Sequence, residues 1–261
     1  MARKSVKKGP NKGIRYEDKI NKILKEKGFQ SITTKSGGAS DAPDGFFWYN
    51  KEKYPLEIKG IGADFAQIEL RWEKEKGFFY SEESKNEHFG KFLLEGEKSF
   101  LNIINETWIG EPRKFVSNKK SEIDRNYDLD HFNDIKEGID VSYIEHFYNS
   151  KSPPIHYVQI ESKGFFYLGK DILKLGVPRI NGEPYLRARV KTRSTTKNTW
   201  GFLVAIKMPG IKASTHNIEE SETHLFPFSS GTHIKQDFSP IDEYIKKKYK
   251  IYLLKDEIFR I

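Results

Sequence analysis

Residues 36–60 read SGGASDAPDGFFWYNKEKYPLEIKG, and this stretch predicts the hairpin around which the chain folds. A glycine-rich approach leads to Asp44, then to an aromatic strand, a polar turn and a second strand that ends in Glu57-Ile58-Lys59. Side chains alternate faces along a strand, so Glu57 and Lys59 share one face while Ile58 points into the core. Asp44 returns beside them across the hairpin. Two carboxylates this close repel each other unless a cation lies between them, so the pattern predicts a metal site.

The order Pro43-Asp44 followed by Glu57-Ile58-Lys59 resembles the motif of the PD-(D/E)xK nuclease superfamily, and the resemblance covers the first part of the chain. It implies metal-dependent hydrolysis of DNA by a protein most like a Type II restriction endonuclease. By this resemblance Asp44, Glu57 and the carbonyl of Ile58 hold Mg²⁺, for which Mn²⁺ would substitute. Lys59 would orient the attacking water and help to neutralise the charge that develops on the phosphate.

Two further side chains match positions that some members of the superfamily use. The apolar spacing over residues 15–27 predicts a helix with Glu17 on its first turn, where several branches carry an extra acid. The segment 64–76 is interpreted as a helix, and Gln67 falls where some members have a glutamine that contacts the catalytic lysine or DNA. The structural alternatives are a helix acid favoured by the macrodipole and a solvent-facing helical glutamine.

Composition limits the classes of function. The 261 residues include no cysteine, which excludes disulfides, thiolate metal sites and cysteine nucleophiles. No signal peptide or apolar membrane span is apparent, so we expect an intracellular, cytoplasmic protein of bacterial or phage origin that makes no membrane contact. The net charge is +8, and residues 1–13 predict a flexible basic arm that attracts phosphate. Its cations are Arg3, Lys4, Lys7, Lys8 and Lys12.

The expected fold class is α/β, with a mixed central β-sheet flanked by helices and a β-rich second half. Residues 14–110 are expected to form the catalytic core, 111–151 a charged loop or insertion, and 152–261 a β-rich extension that recognises DNA. Further local predictions are an amphipathic run over 92–108, strands over 155–160, 165–168, 185–191, 200–208 and 250–261, and short helical pieces over 170–175 and 241–249.

The strongest candidate for reading DNA is the stretch LRARVKTR, residues 186–193. A strand there would bury its apolar residues and display four cations on one face, and a following turn and strand would complete a ribbon that fits the major groove. The alternative is a basic edge strand whose charges prevent aggregation. The candidate DNA contacts are Arg187, Arg189, Lys191, Arg193, Lys197 and Asn198, together with Lys35 and Ser36 ahead of the motif hairpin.

Other functions remain open at this point. The helix start at 13–17 also suits a structure-selective nuclease such as a Holliday-junction resolvase, and a non-catalytic nucleic-acid-binding protein could keep the same fold. Asp130-His131 is similar to part of an HNH nuclease motif, without its flanking pattern. Glu161-Ser162-Lys163 repeats the acid-x-Lys spacing but lacks a hairpin partner. The expected partner is double-stranded DNA, with a homodimer as a further possibility.

Overall fold

A computed structural model describes residues 12–27, 42–49, 52–81, 86–95 and 99–219. In chain order the elements are α1 (Lys12–Glu26), β1 (Gly45–Tyr49), β2 (Glu52–Lys59), β3 (Ala66–Glu73), β4 (Gly77–Tyr80), α2 (Glu87–Phe92), α3 (Phe100–Thr107), α4 (Arg113–Val116), α5 (Glu122–His131), β5 (Ile135–Gly138), α6 (Val141–Asn149), β6 (Tyr157–Ile160), β7 (Gly164–Tyr167), β8 (Tyr185–Ser194) and β9 (Thr199–Lys207).

The strands form two sheets. The first has the order β1-β2-β6-β7, with β2 parallel to β6 and the other neighbours antiparallel. The second has the order β4-β3-β9-β8-β5 and is antiparallel throughout. The chain is therefore α/β, as expected, and its second half is rich in strands. The described strands are divided between two sheets, however, and are not gathered into one central sheet.

Helix α1 packs on the first sheet through one apolar face. Tyr16, Ile20 and Leu24 recur every fourth residue, are all buried, and belong to one core cluster with Phe47 of β1 and Ile58 of β2. The predicted helix over 15–27 is confirmed. This packing fixes α1 beside the motif hairpin.

The segment 64–76 is a strand and not the expected helix. Ile68 and Leu70 are buried on one face of β3, whereas Gln67 is exposed on the other. This is an alternation of period two, and pairing with β9 and β4 satisfies the backbone. The prediction of a helical Gln67 was wrong because a strand period was taken for a helical one.

The segment 111–151, expected as a charged loop or insertion, contains α4, α5, β5 and α6. Its charged residues are partly structural. Asp128 of α5 is fully buried and accepts hydrogen bonds from the backbone N–H groups of Arg113 and Lys114 and from Nε1 of Trp200, at 2.7, 2.8 and 2.7 Å. A carboxylate that accepts three hydrogen bonds can be buried at little cost. The charged residues of segment 111–151 therefore did not mean that it is a loop.

The structure also differs from two smaller predictions. The amphipathic run over 92–108 is broken, because α2 ends at Phe92 and α3 begins at Phe100. Residues 170–175 form turns instead of a helix. Lys12 and Gly13 of the expected arm belong to α1, while the rest of the arm and the predicted elements after residue 219 lie outside the described residues. No helix in the described ranges is long and apolar enough to cross a membrane.

Candidate active site

The candidate site lies at the open end of the β1–β2 hairpin. The ladder begins at Gly45 opposite Leu56, so Asp44 comes directly before the first paired residue. Its Oδ2 accepts a hydrogen bond from the backbone N–H of Ile58 at 3.0 Å. Asn21 of α1 donates to the Asp44 carbonyl at 3.3 Å. The hairpin and α1 therefore hold Asp44 beside the end of β2, as the sequence predicted.

Lys59 is the counter-ion of this site. Its ammonium contacts Oε1 of Glu57 and lies 3.5 Å from Oδ2 of Asp44. The motif residues Asp44, Glu57 and Lys59 are therefore gathered as predicted. Within the described residues no three acidic or histidine side chains are already arranged as a metal site, and the ammonium of Lys59 occupies the space between two of the acids.

Glu57 is enclosed from the side of α6. Its side chain is 3% exposed, and Oη of Tyr148 lies 3.2 Å from its Oε1. The same hydroxyl lies 2.6 Å from the carbonyl of Phe65, just before β3, and this nearer oxygen receives its proton. Sequence reasoning missed Tyr148, because it lies 91 residues from Glu57 and no local pattern marks the contact.

Glu17 of α1 faces the same group of charges. Burial raises its pKa to about 7, and the negative charges of Asp44 and Glu57 add to this rise while Lys59 opposes it. Its Oε2 is buried without a hydrogen-bond partner. Glu17 therefore approaches the motif residues, which is the position the resemblance implied for it.

The buried motif residues influence one another strongly. Burial raises the pKa of Glu57, and the charge of Asp44 raises it further. Burial alone would lower the pKa of Lys59, but Asp44 and Glu57 raise it well above its ordinary value. Lys59 is thus held as an ammonium ion beside the carboxyl groups of Asp44 and Glu57.

The available ligands fit a divalent metal of the Mg²⁺ type. Oε2 of Glu57 is buried without a hydrogen-bond partner, and Glu17 has a second such oxygen. The carbonyl of Ile58 points to the same strand edge as its N–H, which faces Asp44. Carboxylate and carbonyl oxygens are the ligands that hard cations prefer. A cation would replace part of the contact that Lys59 makes now.

Gln67 is not part of this group. It lies on β3 of the second sheet, opposite Ala205, and its backbone carbonyl accepts a hydrogen bond from Asn86 at 2.7 Å. No contact with Lys59 is present among the described interactions of Gln67. The candidates Lys35 and Ser36 lie outside the described residues.

The basic strand β8 has the predicted alternation, with Leu186, Ala188 and Val190 buried. It lies between β9 and β5, but β5 pairs only with residues 185–188, so residues 189–194 form an edge among the described strands, as the alternative expected. Its cations fall into two classes. Two are held by acids, Arg187 by Asp134 and Arg193 by Glu69. Two form no ion pair or side-chain hydrogen bond with any described residue, Arg189 and Lys191.

The turn that follows β8 contributes less than expected. Lys197 is exposed, while Oδ1 of Asn198 accepts a hydrogen bond from Arg125 of α5 at 3.3 Å. Asn198 has a φ of 45°, a left-handed conformation that asparagine tolerates better than most residues. The conformation of the turn and the hydrogen bond to Arg125 therefore give Asn198 a structural role.

The two competing motifs have structural roles. Nε2 of His131 lies 2.9 Å from the carbonyl of Ile109, and its ring stacks on Tyr127, so both contacts of His131 help to pack α5. Glu161 accepts a hydrogen bond from the N–H of Ile61 at 2.8 Å and fixes the turn after β2.

Comparisons of the chain with models of protein families, with curated proteins and with solved structures found no match.

Proposed function

We propose that the protein is a metal-dependent nuclease that hydrolyses phosphodiester bonds in double-stranded DNA, similar to PD-(D/E)xK enzymes and most like a Type II restriction endonuclease. One observation carries the proposal. The carboxyl groups of Asp44 and Glu57 contact Lys59, Glu17 is influenced by the charges of all three, and Glu17 and Glu57 each have a buried oxygen that no group in the described structure satisfies. Such a site is completed by a divalent cation.

Each residue has a role in this chemistry. Asp44, Glu57 and the carbonyl of Ile58 would hold Mg²⁺ or Mn²⁺, which when bound supplies a Lewis acid for the phosphate and lowers the pKa of a bound water. Lys59 keeps its proton and orients the water or the phosphate oxygen. Glu17, with a pKa of about 7, can accept a proton near neutral pH.

The exposed face of the second sheet is the proposed DNA surface. Arg189, which is half-buried, and Lys191, which is exposed, point to the same face as their partners Leu203 and Gly201 of β9. Unpaired cations attract the phosphate backbone, and arginine can bind guanine in the major groove.

The test is cleavage of a supercoiled plasmid and of a synthetic four-way junction, each with Mg²⁺ or with EDTA. Discrete plasmid fragments that require Mg²⁺ support the proposal, whereas cleavage of the junction alone indicates a resolvase. Absence of cleavage on both substrates, with DNA binding retained, indicates a non-catalytic binding protein.

Three variants locate the activity. Asp44→Asn and Lys59→Ala should each abolish cleavage, because one removes a proposed metal ligand and the other the cation that orients the water. Glu52→Gln is the matched control, since Glu52 is an exposed acid on the same strand that contacts only Tyr54 among its described hydrogen-bond partners. If Asp44→Asn cleaves at the wild-type rate, the metal site lies elsewhere.

A further inference from the structure

Lys151 is a second lysine at the candidate active site. It follows α6 by two residues and is 9% exposed. Its ammonium nitrogen lies 5.0 Å from the centre of the Phe147 ring and 5.1 Å from the centre of the Tyr148 ring. Two aromatic faces attract and orient a cation, so the lysine stem is held in one place.

This ammonium belongs to the surroundings of Glu57. Tyr148, over whose ring it lies, has its hydroxyl 3.2 Å from Oε1 of Glu57. Burial raises the pKa of Glu57, and the positive charge of Lys151 is among the influences that lower it again. Lys151 therefore adds positive charge to the group formed by Asp44, Glu57 and Lys59.

Lys151 differs from Lys59 in having no counter-ion. Lys59 is paired with Asp44 and Glu57, whereas the ammonium of Lys151 forms no ion pair or hydrogen bond with any group in the described ranges. It is not one of the fully enclosed polar atoms, so solvent reaches it. An ammonium that keeps only part of its hydration and has no acid beside it gains from an anion that binds there, because aromatic faces compensate for only part of the lost hydration.

We propose that Lys151 binds a backbone phosphate of the nucleic acid at the candidate active site. This rests on the proposed nuclease function and adds a phosphate contact to it. A phosphate supplies the missing counter-ion, and the aromatic pair Phe147 and Tyr148 sets the position of the ammonium in advance. Lys59 is paired with Asp44 and Glu57 and acts on the water or the scissile phosphate in the proposed function, whereas Lys151 has no such acid partner and contacts a backbone phosphate.

The first experiment measures binding of a fluorescein-labelled DNA duplex by anisotropy, with Ca²⁺ in place of Mg²⁺ and over a series of salt concentrations. Lys151→Met, which keeps the apolar stem, should raise Kd about tenfold and lower the salt dependence by about one phosphate contact. Lys151→Arg should bind within about threefold of wild type. Lys170→Met is the control, because Lys170 is an exposed lysine on the loop after β7.

The second experiment uses the wild-type protein, so it does not depend on the folding of a variant. An amine-reactive reagent is applied with and without the duplex, and the modification rates of Lys151 and Lys170 are read by mass spectrometry. DNA should protect Lys151 and leave Lys170 unchanged. Equal modification of Lys151 in both samples, or an unchanged salt dependence in Lys151→Met, overturns the proposal.

The outcomes separate this inference from the proposed activity. If the wild-type protein binds DNA and Lys151 is protected, but no DNA is cleaved with Mg²⁺, the phosphate contact is supported and the nuclease function is refuted. A protein that cleaves DNA while Lys151 stays unprotected removes the phosphate contact alone. A protein that binds no duplex at any salt concentration removes both.

Discussion

Replacing Glu17 by glutamine should stabilise the metal-free protein at pH 8, because it removes a carboxylate charge that the folded state disfavours. Glu17 has a buried Oε2 without a partner, and it faces the negative charges of Asp44 and Glu57. The folded state therefore resists ionisation of this carboxyl group. A glutamine of nearly the same shape carries no charge and avoids that repulsion.

The size of the effect follows from the pKa. Burial raises the pKa of Glu17 from 4.5 to about 7, and at about 1.4 kcal/mol per pKa unit this corresponds to about 3 kcal/mol. Glu17 is partly exposed, and solvent screens such interactions, so we expect about 1–2 kcal/mol. Below pH 4.5 the carboxyl is protonated in both the folded and unfolded states, and nothing is lost. The loss grows as pH rises from 4.5 to about 7 and is complete above pH 7.

Urea unfolding in EDTA, followed by tryptophan fluorescence at pH 5 and pH 8, measures this difference. Glu17→Gln should be nearly as stable as wild type at pH 5 and more stable by about 1–2 kcal/mol at pH 8. Asp18→Asn is the control, because it removes the same charge from the exposed side of α1. A stability difference between Glu17→Gln and wild type that is the same at both pH values would refute the reasoning.

Two further predictions concern the second sheet. Arg189→Gln should raise the Kd for duplex DNA about tenfold. Arg187→Gln should raise the Kd less, because Asp134 already neutralises Arg187. Equal increases in Kd for the two variants, measured by anisotropy titration, would contradict the division into free and paired cations. Trp200→Phe should lower the free energy of unfolding by about 1–3 kcal/mol, because the buried Asp128 loses a donor. The indole of Trp108 donates to the neutral carbonyl of Asn133, so Trp108→Phe should lower the free energy of unfolding by only about 0.5–1.5 kcal/mol. Urea denaturation of both variants measures these losses, and a larger loss in Trp108→Phe than in Trp200→Phe would contradict the argument.

The local part of the site could be predicted from sequence. Strand alternation and a hairpin are sufficient to bring Asp44, Glu57 and Lys59 together, and helical spacing is sufficient to place Glu17 on α1. These inferences need only contacts within about one supersecondary unit. The strand β3 was also within reach, because Ile68 and Leu70 alternate with exposed residues, but the short apolar run was taken for a helix.

The distant part of the site could not be predicted. The hydroxyl of Tyr148 in α6 contacts Glu57 and the charge of Lys151 influences its pKa, and nothing in the local spacing of α6 indicates this neighbour. The pairing of Arg187 with Asp134 and of Arg193 with Glu69 depends in the same way on which strands become neighbours. Alternation assigned a face to each cation but gave no information about its counter-ion.

The parallel pairing of β2 with β6 affects how the chain folds during synthesis. Residues 57–59 are paired with 158–160, so about a hundred residues must be made before the inner edge of the motif hairpin acquires its neighbour. Closing so long a loop costs entropy before the new contacts repay it, and such sheets fold slowly. We expect the hairpin to form early with an open edge on the nascent chain, where it is vulnerable to pairing with other strands until β6 has emerged.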